Sequence, residues 1–243
     1  VPMHLTEATW TDVADVGADV ALLPVGSTEQ HGPHAPLGLD SMTAEAIAEA
    51  GADRYAGAGG PEVLVGPTVP VGVAAEHRAF EGTLWVSEDT FRDYVGETIE
   101  SLASHGIDRV VVVNGHGGNV DALREVCGRV SRSGEAYAVH YTWFDAVDFE
   151  DLGHAGPAET SMIRHLHPEL IREERTDAAA ENGADGWGEW VSGTNLAYDS
   201  DSFTDSGAVG DPREGDADLG ADLLAAAADA LAELLEAIAD RPR

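Results

Sequence analysis

The sequence has no lysine. All 13 basic residues are arginines, set against 45 aspartates and glutamates, for a formal net charge of −32 over 243 residues. A surface this negative excludes nucleic-acid binding by phosphate neutralisation, and it disfavours an anionic membrane for the same reason. Self-repulsion at this charge destabilises a compact fold unless salt screens it, so the composition fits a halophilic protein from a high-salt interior. Cysteine is nearly absent too. Cys127 stands alone, which excludes an internal disulfide and fits a reducing compartment, hence a cytoplasmic location. No window approaches the ~20 consecutive apolar residues of a membrane span, and none reads as a signal-peptide core. There is no G-x-S-x-G elbow, which disfavours a serine hydrolase. Cys127 lies mid-helix beside Val126, where a buried inert thiol is expected rather than a nucleophile.

What is present is concentrated in one stretch, Pro24 to Asp40. It carries Glu29, His31, His34 and Asp40 in a turn restricted by Gly26, Gly32, Pro33, Pro36 and Gly38. The apolar run Val20–Pro24 before it reads as a buried strand, and residues 41–56 after it as a helix with Ser41 as a plausible N-cap. A polar loop at the carboxyl end of a central strand is where open α/β sheets place their sites. Carboxylates mixed with imidazole suit a divalent transition metal, and burying them so close together requires a compensating cation. The plainer reading is a solvated acidic loop with a chance histidine, but the Gly/Pro restriction argues against filler.

In chain order, residues 4–19 read as a short helix and connector with Thr6 or Thr11 as cap. Residues 63–72 are β-rich, with prolines that mark strand ends or an edge. Glu76 and His77 fall in the polar loop that follows. A helix from Ser87 to His105 buries Phe91, Val95, Ile99 and Leu102. Arg109–Val113 is the strongest strand, suited to burial on both faces. An amphipathic helix to about Ser133, a strand over 136–144, a helix from Pro157 to about His167 and a final helix over 215–239 complete the pattern. The alternation predicts a single α/β domain with a largely parallel sheet covered by helices. Residues 173–210 form a long polar region with Trp187 and Trp190, more in keeping with a functional loop than with filler.

Two further segments carry chemistry. Asn114-Gly115-His116-Gly117-Gly118-Asn119 lies at a strand–turn–helix junction, so His116 should emerge at the same sheet edge as the first motif. Its alternatives are a glycine turn with Asn119 as helix cap, or a phosphate-cradling loop; the G-x-G-x-x-G spacing is not met, because Val120 occupies the last position. In His154-Ala155-Gly156-Pro157-Ala158-Glu159-Thr160, His154 is a candidate proton donor and Glu159 projects from a first helical turn, where a carboxylate is also simply favourable. His4, His105, His165 and His167 read as surface or helix-end residues, and His140 as a core or site-wall residue.

Together, Glu29-Gln30-His31 with Asp40, the Asn114–Asn119 segment, the His154–Thr160 segment and Ser206–Pro212 resemble the creatininase (creatinine amidohydrolase) family. The resemblance spans nearly the whole chain. It implies an α/β/α sandwich, often hexameric, with two divalent ions per subunit; imidazoles mixed with carboxylates suit Zn, Mn or Fe(II). It also implies that Glu29, His31, Asp40 and His116 are ligands, with Asp40 bridging the ions. Creatininase itself has a Tyr-Glu pair after the histidine, and that Glu is a ligand; here Gly117 and Gly118 stand in its place. Glu159 is the candidate for the missing carboxylate. Branches of the family with the glycine pair include an archaeal formamidopyrimidine-nucleotide deformylase and the peptidase of mycofactocin maturation.

The implied reaction is hydrolysis of a non-peptide C–N bond in a small-molecule cyclic amide or formamide by hydroxide shared between the ions. His154 is first choice as the acid for the leaving amine, with Glu159 or Glu76 in reserve. Creatinine hydrolysis proper, a metallopeptidase and a non-catalytic protein with a closed structural metal site are the rivals.

Overall fold

The computed structural model describes residues 2–148, 152–239 and 241. Five parallel strands form the central sheet: β1 (Met3–His4), β2 (Val20–Val25), β3 (Leu64–Val65), β4 (Arg109–Asn114) and β5 (Tyr137–Thr142), in the order β1-β3-β2-β4-β5. The two central strands, β2 and β4, are buried at every position and pair over their full length. Because side chains alternate across a strand, each supplies both faces. Val20, Leu22, Val111 and Val113 enter the core under α2 (Leu39–Gly57), α6 (Pro157–Leu166) and α8 (Ala217–Ala239). Leu23, Val25, Val110 and Val112 enter the core under α3 (Glu88–Ala103) and α4 (Val120–Ser133). The result is the expected three-layer sandwich with a parallel sheet.

Pro24 in a central strand would ordinarily break a ladder. Here β3 has already ended, and the side that would need the missing N–H is met only by the Val69 N–H, which donates to the Pro24 carbonyl at 2.9 Å. The chain leaves β2 for the α2 face and returns to β3. It leaves β4 for the opposite, α4 face and returns to β5. That reversal opens a crevice at the carboxyl ends of β2 and β4, the topological switch point where α/β sheets bind ligands.

Several local expectations shift. Helix α2 begins at Leu39 with Gly38 as N-cap, not at Ser41, so Asp40 sits inside the first turn. The first helix, α1 (Trp10–Val16), is capped by Thr9, not Thr6 or Thr11: the Thr9 hydroxyl and the Asp12 carboxylate form a reciprocal capping box. The 63–72 stretch gives only the two-residue β3, which lies inside the sheet because β1 covers its outer side. The 143–144 end of the last predicted strand instead starts the short helix α5 (Trp143–Ala146). Asn119 stands at the N-cap of α4 but its side chain makes no capping bond; its amide instead donates to the Gly26 carbonyl at 3.0 Å and accepts from the Val73 N–H at 2.9 Å, tying three loops together. The 173–210 region contains α7 (Thr176–Glu181) and the hairpin β6 (Trp190–Val191) and β7 (Thr194–Asn195). Among the described residues no helix is long and apolar enough to cross a membrane.

The charge has a direct consequence for stability. Raising salt from about 0.1 M to 1 M shortens the Debye length from about 10 Å to 3 Å. Relief of self-repulsion at −32 is expected to add about 2 kcal/mol, a rise of roughly 4–8 °C in Tm. Thermal melts across a KCl series check this, and a flat or falling Tm would contradict it.

Candidate metal centre

The crevice gathers side chains from four separate stretches of the chain. Glu29 and His31 come from the β2–α2 loop, and Asp40 from the first turn of α2. A 3-10 turn over Ala75–His77 brings Glu76 and His77. His116 follows β4, His154 sits before α6, and Glu159 lies in that helix's first turn. Glu29, His31, Asp40, His77, His116, His154 and Glu159 are all buried. Gly115 and Gly26 allow the convergence: a Cβ on Gly115 would lie 2.2 Å from the Asp40 carbonyl oxygen, and one on Gly26 2.4 Å from the Ser41 nitrogen. The ends of β2 and β4 therefore abut the start of α2 directly.

Asp40 is central. Its Oδ1 lies 3.1 Å from His31 Nε2 and its Oδ2 lies 3.4 Å from His116 Nδ1. His116 Nδ1 is also 3.2 Å from Glu29 Oε1, and His31 Nε2 is 3.7 Å from Glu159 Oε2. Two groups of potential ligands, Glu29–Asp40–His116 and His31–Asp40–Glu159, thus share one carboxylate; Glu29, His31 and His154 form a third grouping. The other metal-type cluster among the described residues, His4 with Glu45 and Glu49, is on the surface.

The second nitrogens of the histidines are informative, because a backbone carbonyl can only accept. His31 Nδ1–H donates to the Glu29 carbonyl at 3.2 Å, His116 Nε2–H to Val73 at 2.7 Å and His154 Nε2–H to Gln30 at 2.7 Å. Each ring in its neutral form therefore turns a lone pair toward carboxylate oxygens. Facing lone pairs repel unless a cation lies between them, and a carbonyl-anchored second nitrogen is how metal-binding histidines are oriented. Both Glu29 oxygens, His31 Nε2 and Asp40 Oδ2 are buried without a hydrogen-bond partner, a cost that bound cations would remove. The donor set fits divalent metal.

The electrostatics agree. Burial pushes the Glu29 and Asp40 carboxyls up, but the facing imidazoles outweigh it, so Glu29 is held below the usual range and Asp40 at about 2. Burial works against protonation of His31, yet Asp40 and its neighbours raise it to about 9, and His116 is raised well above its ordinary value by Glu29 and Asp40 in the same way. Without an ion, protons on these imidazoles take the cation's place. Burial drives His154 well below its ordinary value, helped by His31 and His77, and raises Glu159 to about 7.

All seven sequence-selected residues line or form this crevice. Glu76 is the most peripheral, on the wall of the adjoining cavity beside His116 and Gly118, with its carboxyl raised by burial. A Cβ on Gly118 would meet the Val73 carbonyl at 2.2 Å and Glu76 Oε1 at 2.8 Å, so no side chain fits there as the loop is folded. The Glu159 carboxylate reaches the His31 side of the centre from α6 instead. His77, noted only as a loop residue, lies with Nε2 at 3.4 Å from Glu29 Oε1, and its ring stacks on His154 at 4.4 Å. Gln30 orients it: the Gln30 Oε1 accepts from the Gly32 N–H, so its amide nitrogen faces His77 Nδ1 at 2.8 Å. No local sequence signal marks His77, since its partners are 47 residues or more away in the chain.

Residues 6–235 match the family model described as creatininase: creatinine amidohydrolase. The chain belongs to the creatininase family. A mycofactocin precursor peptide peptidase of Mycobacterium ulcerans is 38% identical over 160 residues, covering 65% of this chain and 62% of that protein; the chain thus matches less than two thirds of the relative's length. The solved structure of a candidate creatinine amidohydrolase from Bacteroides fragilis NCTC 9343 superposes with a TM-score of 0.83 at 25% identity, over 99% of this chain and 97% of that one. A creatininase structure described with Mn has the same fold, with a TM-score of 0.81 at 23% identity over 99% and 100% of the two chains.

Proposed function

We propose that this creatininase-family chain is a metal-dependent hydrolase of an amide C–N bond. Glu29, Asp40 and His116 would hold one ion, and His31, Asp40 and Glu159 would hold a second. The observation that carries the reading is the shared Asp40 carboxylate, with Oδ1 and Oδ2 directed at His31 and His116 respectively. Ions bound there supply Lewis acidity for the scissile carbonyl and lower the pKa of water from about 15.7 toward about 7.

The protein's own residues handle the proton. His154 is neutral at pH 7, with its Nε2–H engaged by the Gln30 carbonyl. Its free Nδ1 is therefore an acceptor first: it takes a proton from the attacking water and returns it to the departing nitrogen. General acid–base help of this kind is worth about 10²–10⁴-fold. Trp187 stands edge-on to His77 and His154, at 5.5 and 6.0 Å between ring centroids, and lines the cavity beside them.

The adjoining cavity, about 940 Å³, narrows the substrate. Among the described residues lining it, Arg213 is the one Arg, and it is forked onto the Asp211 carboxylate at 2.6–3.2 Å. Glu76, Asp185 and Glu214 face the same space. With Arg213 engaged by Asp211 and carboxylates along the rest of this wall, the lining favours a neutral or cationic amide over a phosphorylated one. The volume lies at the upper end of the ~300–1,000 Å³ typical of ligand pockets. Together with the peptidase relative, that supports the end of a peptide as substrate. The second reading, a cyclic amide or formamide, is favoured by the aromatic wall of Trp187. The resemblance supports a homo-oligomer, for which exposed Leu84, Trp85 and Tyr94 would supply apolar surface.

Turnover of short peptides, creatinine and a formamidopyrimidine nucleotide by Mn²⁺- or Zn²⁺-loaded protein tests the reading. Peptide cleavage abolished by a chelator is the expected result. Chelator-resistant activity would overturn the metal dependence, and turnover of the nucleotide alone would overturn the substrate class. The ions should also compete with protons. With His31 raised to about 9 in the ion-free protein, binding at pH 7 must displace its proton. Mn²⁺ affinity is therefore expected to tighten from pH 7 toward 9, with proton release seen by calorimetry in buffers of different ionisation heat. Affinity independent of pH would contradict that picture.

A further inference from the structure

Ala155 has φ = 52°, and Ser192, in the exposed turn between β6 and β7, is its one non-glycine counterpart among the described residues. Side-chain-bearing residues rarely adopt this conformation, and when they do so in a buried site the surroundings must hold it. Ala155 is fully buried, its methyl in a small cluster with Ala179 and Ala208. The turned peptide directs the Ala155 N–H onto Glu159 Oε2 at 2.6 Å, the oxygen that faces His31 and His154.

The contacts that hold the turn run one way. The Thr160 hydroxyl has a single proton, donated to the Ala155 carbonyl at 3.2 Å. Its lone pair must then accept, and His34 Nε2–H donates to it at 2.9 Å. Both side chains are completely buried. His34 belongs to the same loop as Glu29 and His31, so the chain His34, Thr160, Ala155, Glu159 links the carboxylate on α6 to the loop that carries the other candidate ligands.

We propose that His34 and Thr160 are positioning residues for Glu159: they hold Ala155 in its left-handed turn, and that turn aims the carboxylate at the His31 side of the centre. The proposal rests on the two-ion reading above, in which Glu159 serves one ion and not the other. Partners that orient ligands in this way change metal affinity by 10–100-fold when removed.

The experiment is Mn²⁺ binding by equilibrium dialysis, with electron paramagnetic resonance to detect coupled ion pairs, on the wild type, Thr160→Val and Thr160→Ser. The wild type is expected to bind two ions per subunit. Thr160→Val should weaken one of them at least 10-fold while leaving the other unchanged, and Thr160→Ser, which keeps the hydroxyl, should restore both. A generally loosened fold would weaken both ions together, so that result overturns the positioning role, as does unchanged affinity for both. If Thr160→Val does not fold, His34→Leu against His34→Gln makes the same comparison at the other end of the chain, with the same two overturning results. A wild type that takes up no Mn²⁺ overturns the two-ion reading and this inference with it. Two ions bound equally by wild type and Thr160→Val overturn this inference alone.

Discussion

Asp40→Asn is expected to lower turnover by at least about 10³-fold while leaving the protein folded. Asp40 is buried, and its two oxygens face imidazoles on opposite sides, His31 at 3.1 Å and His116 at 3.4 Å. Asparagine keeps the shape but replaces one oxygen by an NH₂ and removes the charge, so in the proposed two-ion centre both ions would lose a ligand in one substitution. Charge stabilisation by such ions is worth several kcal/mol, and each 1.36 kcal/mol is tenfold in rate. The fold should survive, because asparagine keeps the side-chain shape and the His31 and His116 imidazoles can release the protons that Asp40 helps hold on them. Steady-state kinetics with circular dichroism check both halves. A folded, active Asp40→Asn protein would remove Asp40 from the centre of the account.

Gly115→Ala should be the most damaging single methyl in the site. The added carbon would lie 2.2 Å from the Asp40 carbonyl oxygen and 2.9 Å from its carbonyl carbon, both backbone atoms of the first turn of α2. Neither can swing aside, so β4 and α2 must separate. Overpacking of this kind costs about 2–3 kcal/mol, a loss of roughly 4–12 °C in Tm. Activity should fall further than stability, since the movement parts Asp40 from His116. Gly117→Ala is the control: nothing lies within 4 Å of a Cβ there, so its effect should stay within about 0.5 kcal/mol. Equal tolerance of the two substitutions would contradict the close approach on which the site depends.

The fold was legible where the sequence pattern is local. Val20–Pro24 and Arg109–Val113 announce doubly buried strands, and their alternation with helices implies a parallel sheet with a site at the carboxyl ends. Glu29, His31, Asp40 and His116 could be selected because each sits in a Gly/Pro-restricted junction. Glu159 was harder, since a carboxylate in a first helical turn needs no further reason; only its 3.7 Å approach to His31 sets it apart. What the sequence hid depends on distant partners. His77 owes its place to Gln30 and Ser200, and Asn119 left its expected capping role because Gly26 and Val73 offered buried backbone groups to satisfy. Helix α2 starts two residues before Ser41 because the chain turns at Gly38, and that shift puts Asp40 where two groups of ligands can share it.

Anomalous diffraction from crystals of Mn²⁺-loaded protein addresses the central claim most directly. Two peaks per subunit are expected, one on each side of the Asp40 carboxylate, between Glu29 and His116 and between His31 and Glu159. Loaded crystals with no peak in this crevice, or with signal only at the surface cluster of His4, Glu45 and Glu49, would contradict it.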